Sequence, residues 1–254
     1  MLLVIDVGNT NTVLALLDGE RVRTTWRVSS AFSTTDEVGL QLVQLLALKG
    51  HDKSEVRGVI ISCVVPEVLY ALEKASHRYL DLQPLVVGKG LKTGMRVRTD
   101  NPREVGSDRI VNCVAALDKW PAPLVVVDFG TATTFDCVNT DGDYVGGAIA
   151  PGLQISVEAL FQKTSKLPHI SIRKPQNAIG TNTISAMQSG VFWGYVGLVD
   201  GLVERCSQEL GGQVTCVATG GLSNLVGRAC TSVEHISPNL TLQGLRLLYE
   251  RNKR

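Results

Sequence analysis

Several features that would place the chain in a specialised environment are absent. No apolar run approaches the roughly 18 uninterrupted residues a membrane-spanning helix needs, so nothing points to a membrane partner. The opening "MLLVIDV" has no basic residue ahead of its apolar stretch and meets Asp6 at once, so it reads as a strand and not as a secretory signal. Excess charge of either sign is missing: 25 Lys and Arg stand against 24 Asp and Glu, and a net charge of +1 gives no bulk electrostatic case for a nucleic-acid partner. The six cysteines, at 63, 113, 137, 206, 216 and 230, form no Cys-x-x-Cys and no zinc-like spacing. Most sit in apolar runs such as "VIISCVV", where a thiol packs as a small hydrophobe, so the expectation is reduced, buried thiols in a cytoplasmic protein. Histidines 51, 77, 169 and 235 are scattered without His-x-x-x-His spacing, so neither a metal cluster nor a serine triad is readable.

What is present is an ordinary globular composition, 44% apolar and 19% charged over 254 residues, enough for one large domain or two modest ones. Within it one phrase occurs twice. "LVIDVGNTNTVL" begins at Leu3 and "VVVDFGTATTFD" at Val125, and a constant offset aligns Asp6 with Asp128 and Gly8 with Gly130. Allowing one inserted residue, Asp18-Gly19 then matches Asp141-Gly142. Each copy reads as strand, tight Asp-x-Gly turn, strand, Asp-Gly turn, strand, with third strands at 21–28 and 144–150.

The remainder of each half is similar in kind. Helical patterns fall at 36–48, behind Thr-Thr-Asp-Glu, at "PEVLYALEKASHRYL" and at 102–118. They recur at 151–162, 183–210, 222–228 and 240–251, with buried strands at "RGVIISCVV" and "QVTCVATGG" and a short one at "LQPLVVG". The fold class is α/β, with two repeated domains, 1–118 and 119–254, meeting near "DKWPAP".

A tight turn built from Gly, Asn and Thr exposes backbone N–H groups that can hold phosphate oxygens, and its hydroxyls add donors. Two such hairpins could grip a polyphosphate from both sides, and the Asp ahead of each glycine could hold a hydrated Mg²⁺. The commoner nucleotide loops are missing. No Gly-x-x-x-x-Gly-Lys-Ser/Thr occurs, "GKGLKTG" at 88–94 has the wrong spacing, and no Gly-x-Gly-x-x-Gly opens a helix.

At this point the chain becomes recognisable. The duplicated hairpins resemble those of the acetate/sugar kinase, heat-shock chaperone and actin superfamily, whose halves are ribonuclease-H-like domains with mixed sheets flanked by helices. "IDVGNTNT", "NPREVGSDR", "DFGTATTFD", "GGAIAPG", "GTNTISAMQSG" and "ATGG", in that order from Ile5 to Gly221, resemble the type III pantothenate kinases. The resemblance implies ATP-dependent phosphorylation of pantothenate to 4′-phosphopantothenate, the first step of coenzyme A biosynthesis.

It also implies roles for residues. ATP contacts fall to Asp6, Val7, Gly8, Asn9, Thr10, Asn11, Thr12 and Val13 in the first loop, Gly130 and Thr131 in the second, and Gly220 and Gly221 near adenine or ribose. Asp6 would hold Mg²⁺ through water, and Asp128 a monovalent cation, potassium or ammonium. Asp108 would be the general base, with Gly106, Ser107, Arg109 and Thr183 contacting pantothenate. Thr99 stands where some family members carry a substrate-contacting aromatic residue and is not assigned to the site. Asp136, at a strand end, reads as structural.

One pattern lies outside the resemblance. Gly190, Gly194, Gly197 and Gly201 make a glycine face on one helix, at about 1 kcal/mol each relative to alanine. Close approach of another helix would compensate. Intramolecular packing and a dimer contact both fit, and the family's habit favours a homodimer. Two other readings stay open: a different small-molecule kinase of the superfamily, and a non-enzymatic regulator.

Overall fold

The computed structural model describes residues 1–31, 34–88 and 90–253. The chain forms two compact units, the first from Met1–Gly94, Arg103–Ala115 and Thr241–Arg254, the second from Met95–Pro102 and Ala116–Leu240. Each holds one five-stranded mixed sheet.

In the first unit β1 (Leu2–Val7) and β2 (Asn11–Asp18) form an antiparallel hairpin, and β3 (Arg21–Ser29) adds antiparallel to β2. β4 (Gly58–Cys63) and β5 (Leu85–Val86) continue in parallel from β1, giving the order β3-β2-β1-β4-β5. In the second unit β6 (Leu124–Phe129), β7 (Ala132–Val138) and β8 (Tyr144–Pro151) repeat the antiparallel run. There β9 (Thr215–Gly220) and β10 (His235–Ile236) repeat the parallel one, so the order β10-β9-β6-β7-β8 is the same topology.

The repetition extends to irregularities. Both third strands bulge by one residue, Arg23 between the paired Val22 and Thr24, and Val145 between the paired Tyr144 and Gly146. Both Asp-Gly turns place their glycine at positive φ, +58° at Gly19 and +78° at Gly142, where a side chain would be strained. The tips differ. Val7 pairs with Thr12 across four residues, whereas Phe129 pairs with Thr133 across three.

Among the described residues seven α-helices accompany the strands: α1 (Thr35–Leu48), α2 (Pro66–Leu80), α3 (Ser107–Lys119), α4 (Leu153–Lys163), α5 (Thr183–Glu209), α6 (Ser223–Val226) and α7 (Leu240–Asn252). The Thr-Thr-Asp-Glu signal starts α1 through a reciprocal cap in which Thr34 accepts from Glu37 N and the Glu37 carboxylate accepts from Thr34 N. Pro66 opens α2 without sacrificing a hydrogen bond. The helix expected from 102 begins only at Ser107, because Pro102–Glu104 forms a separate 3-10 turn.

Apolar alternation in β1 and β2 sends Leu3, Ile5, Val7, Leu14 and Leu16 to one face. There they pack with Val38, Leu42 and Leu46 of α1 and Val68 and Leu72 of α2. Each such side chain contributes about 1.5–3 kcal/mol by leaving water. The equivalent layer in the second unit joins Val125, Val127, Phe129 and Phe135 to Phe192, Val196, Val199 and Val203 of α5.

A single cut between 118 and 119 does not describe this organisation. α7 belongs with the first unit: Thr241 Oγ1 donates to Asn112 Oδ1 at 2.7 Å, Arg246 pairs with Glu20 at 3.2 Å, and Gly244 abuts the Val111 backbone. Residues 95–102 belong with the second, where Arg98 N donates to Tyr144 O at 2.8 Å and Arg98 pairs with Asp143. An amphipathic pattern shows that a helix will pack without naming the sheet that receives it. Among the described residues no helix is long and apolar enough to cross a membrane.

Candidate active site

The first hairpin tip is held from behind. Gly8 N donates to Asn11 O at 3.1 Å, closing the turn and leaving Asn9, Thr10 and Asn11 exposed at its crest. Val7 and Thr12 point inward, with exposures of 1% and 0%, and Val13 is half-buried. Hence within the run from Asp6 to Val13 the surface open to a ligand is Gly8–Asn11, beside the half-buried Asp6. Ser30, just past the end of β3, is the brace. Its hydroxyl donates to Gly8 O at 2.6 Å and lies 3.0 Å from Thr12 Oγ1, while its N–H donates to Thr10 O at 3.2 Å. The repeat pattern singles out the tip but not Ser30, whose contact spans 22 residues.

The start of α3 belongs to the same unit. Gly106, Ser107, Asp108 and Arg109 are all half-buried, and Gly106 O accepts from Ile110 N in the first turn. Asp108 Oδ1 accepts from Arg109 N at 2.9 Å, which sets the carboxylate in one orientation. A Cβ at Gly106 would lie 2.6 Å from that same oxygen. A side chain there would therefore displace the Asp108 carboxylate, so glycine lets the carboxylate keep its place, whatever a substrate adds.

In the second unit Asp128 lies in β6 between Thr134 of β7 and Thr219 of β9 in register. Gly130 N donates to Ala132 O at 3.1 Å, a turn one residue tighter than the first, and Thr131 is exposed on it. Here the brace is Tyr195 of α5, whose hydroxyl lies 2.5 Å from Thr133 Oγ1 and donates to Pro151 O at 2.9 Å. Burial pushes the Tyr195 hydroxyl above its ordinary pKa, so it stays a protonated donor. Gly152 N donates to Thr131 O at 3.1 Å, giving the glycine of "GGAIAPG" a local role.

Gly220 ends β9 at φ +87°, and a Cβ there would lie 2.7 Å from both N and O of Phe129 and press on the Asp128 carboxylate. Contact with β6 therefore explains this glycine; Gly221 beside it is exposed. Asp136 is fully buried and accepts from Thr134 Oγ1 at 2.9 Å and Tyr144 Oη at 3.0 Å, a structural placement. Thr183 is exposed at the first position of α5, while the cap itself is Asn182, which accepts from Ser185 N at 2.9 Å.

Comparison with known proteins decides the family. The family model described as "Type III pantothenate kinase" matches residues 2–205. Two curated relatives carrying that name are each 54% identical over 254 residues, from Geotalea daltonii (100% of this chain, 99% of the relative) and Geobacter sulfurreducens (100% of both). The chain belongs to the type III pantothenate kinase family.

Solved structures agree on the fold. The activator of the 2-hydroxyisocaproyl-CoA dehydratase from Clostridium difficile, with bound ADPNP, has a TM-score of 0.54 at 15% identity, covering 98% of this chain and 93% of that one. An inorganic polyphosphate/ATP-glucomannokinase from Arthrobacter sp. has a TM-score of 0.51 at 12% identity, covering 97% and 96%. The paired sheets of this type III pantothenate kinase family member are thus a duplicated, actin-like ATPase fold, and the protein is a kinase that uses ATP and a divalent metal.

Proposed function

We propose that the protein transfers the γ-phosphoryl group of ATP to the 4′-hydroxyl of pantothenate, with Asp108 as general base. The observation that carries the base assignment is the Asp108 carboxylate at the first turn of α3, half-exposed and oriented by Arg109 N. A positioned carboxylate can accept the hydroxyl proton as the oxygen attacks phosphorus. Arg109 would hold the substrate through its fork of donors, aided by Gly106, Ser107 and Thr183. The tips at Gly8–Asn11 and at Gly130–Thr131 would each offer backbone N–H groups and hydroxyls to the phosphates, replacing the lysine of other nucleotide loops.

The residues present fit the two ions. Among the described residues no three His, Cys, Asp or Glu side chains converge on a metal position. Magnesium suits such a place, because it keeps much of its water and takes one carboxylate, here Asp6, with the nucleotide's phosphates. Opposite Asp128 in register, Thr219 Oγ1 is buried with no hydrogen-bond partner among the described residues. An orphaned oxygen next to a carboxylate fits a hard monovalent cation, potassium or ammonium. When bound, the ions neutralise charge on the phosphates, and transfer depends mostly on such neutralisation and on positioning.

We place the enzyme in the cytoplasm, consistent with six cysteines of which none forms a disulfide among the described residues. We also infer a homodimer. At Gly190, Gly194, Gly197 and Gly201 an added Cβ would meet no described atom within 4 Å, so packing within the chain does not account for the stripe. Trp193 and Ile184 on the same helix are exposed at 37% and 47%, and a second copy of α5 would cover them.

The test is pantothenate-dependent ADP release with Mg²⁺ and a cation series. Turnover should need pantothenate and fall when sodium replaces potassium. Asp108→Asn should lower kcat by about 10²–10⁴-fold, the usual worth of a general base, while ATP affinity stays within about threefold. Near-normal kcat in that variant would remove the base assignment, and no turnover of pantothenate by the wild type would remove the substrate.

A further inference from the structure

Ser62 is fully buried near the end of β4. Parallel pairing sets it opposite Asp6 of β1, so the two side chains leave the sheet on the same face. Its hydroxyl lies 3.0 Å from the hydroxyl of Ser107, the first residue of α3. One buried hydroxyl therefore stands beside the proposed Mg²⁺ carboxylate and is joined to the residue that precedes the proposed base.

The duplication shows that this tie is specific. In the second sheet the position equivalent to Ser62 is Thr219, opposite Asp128, and its hydroxyl has no hydrogen-bond partner. A tie at this register is not a general requirement for closing the fold, since the second unit forms with its hydroxyl untied. Only the copy that carries Asp108 ties its buried hydroxyl to a helix start. The tie acts where small displacements matter, because a first-turn residue has fewer intrahelical bonds to hold it. The backbone N–H of Arg109 orients the Asp108 carboxylate relative to its own helix, and nothing in that bond fixes the helix to the sheet.

We propose that Ser62 is a positioning residue for phosphoryl transfer, and that its bond to Ser107 fixes the first turn of α3, and so Asp108, against the strand that carries Asp6. This rests on the reading of Asp108 as base and Asp6 as magnesium residue. The role is indirect: Ser62 moves no proton and touches no substrate, but sets where the carboxylate stands when the hydroxyl attacks. Misplacement of a reacting group by about 1 Å can cost on the order of 10²-fold in rate, so a loosened tie should be visible in kcat.

The test is a double-mutant cycle on the full-length protein, with Ser62→Ala, Ser107→Ala and the double variant, and with Ser62→Thr to restore the hydroxyl. Pantothenate-dependent kcat, KM for ATP and the melting temperature are measured for each. Ser62→Ala should lower kcat about tenfold with KM for ATP within about twofold and the melting temperature nearly unchanged. The double variant should be no slower than Ser107→Ala, because Ser107→Ala removes the tie together with the proposed pantothenate contact and leaves Ser62 nothing further to hold. Ser62→Thr should recover kcat to within about threefold, since threonine occupies the equivalent place in the second sheet. Unchanged kcat in Ser62→Ala, independent losses in the double variant, or a Ser62→Thr protein as slow as the alanine would each overturn the proposal. A wild type that turns over no pantothenate would overturn the kinase reading, and this role with it. If Ser62→Ala does not fold, Ser62→Thr and Ser62→Cys decide: the first keeps the hydroxyl bond and should stay within about threefold of wild-type kcat, the second weakens it and should be slower, and equal kcat in the two would overturn the proposal.

Discussion

Replacing Ser30 by alanine should loosen the first hairpin tip, proposed to hold phosphate, while leaving the rest of its unit intact. The Ser30 N–H bond to Thr10 O survives the change; both hydroxyl contacts, to Gly8 O and Thr12 Oγ1, are lost. Their costs are unequal. Gly8 is half-buried and can recruit water, but Thr12 is 0% exposed and its hydroxyl is left without this partner. A buried orphaned hydroxyl costs about 1–3 kcal/mol, so the expected loss is about 2 kcal/mol. At about 2–4 °C per kcal/mol for a chain of this size, melting should fall by about 4–8 °C. The tip would also sample more conformations, so KM for ATP should rise several-fold while KM for pantothenate moves little. Thermal melting followed by circular dichroism, with initial rates at varied ATP, measures both. Adding Thr12→Val removes the orphan together with its partner and should return most of the lost stability, since replacing both ends of a buried bond with apolar groups is nearly neutral. A Ser30→Ala protein that melts within about 1 °C of wild type, or a double variant no more stable than the single, would refute the reasoning.

Other expectations follow from the same kind of contact. Gly220→Ala adds a Cβ against the Phe129 backbone at φ +87°, combining strain and overpacking of about 1–3 kcal/mol each. Its melting temperature should drop by roughly 4–24 °C, and a drop under about 2 °C would show that β9 and β6 are less tightly apposed. Among the cysteines, a hydrogen bond from Cys137 pulls the Cys206 thiol down to about 7 against the opposing effect of burial. Burial raises the Cys63 and Cys216 thiols and pushes Cys230 up to about 12. Because the thiolate is the nucleophile, Cys206 alkylation by iodoacetamide should quicken as pH rises and reach half its limiting rate near pH 7. Peptide mapping that finds Cys63, Cys216 or Cys230 labelled first at pH 7.5 would contradict this.

Most of the fold was legible because its signals are local. The Asp-x-Gly hairpins, the cap at Thr34 and Glu37 and the proline at the start of α2 each act within a few residues, so sequence spacing exposes them. The apolar alternation of β1 and β2 likewise announces its buried face. What was not legible depends on partners far along the chain. Ser30, Tyr195 and Ser62 look like ordinary hydroxyl residues until the fold brings them to Gly8, Thr133 and Ser107. The allegiance of α7 is hidden for the same reason, because Thr241 meets Asn112 across 129 positions. Glycines 106 and 220 show a subtler limit. Their importance was readable, yet the structure traces it to the Asp108 carboxylate and the β6 backbone, neighbours inside the protein.

Comparing the two copies separates what the architecture requires from what the chemistry has altered. Matching strand order and matching bulges at Arg23 and Val145 reflect one repeated plan, and the bulges touch no candidate ligand residue. Divergence gathers at the ends of the strands that carry Asp6 and Asp128. One tip has four residues and the other three; one is braced by a serine after its own third strand, the other by a tyrosine from a long helix. The hydroxyl opposite each aspartate is tied in the first copy and orphaned in the second. A tied hydroxyl is held in one orientation by its partner, whereas an orphaned one can turn its lone pairs to a ligand. That difference suits the proposed roles, a base-bearing helix in one copy and a cation in the other, and it falls on two buried residues in the same register.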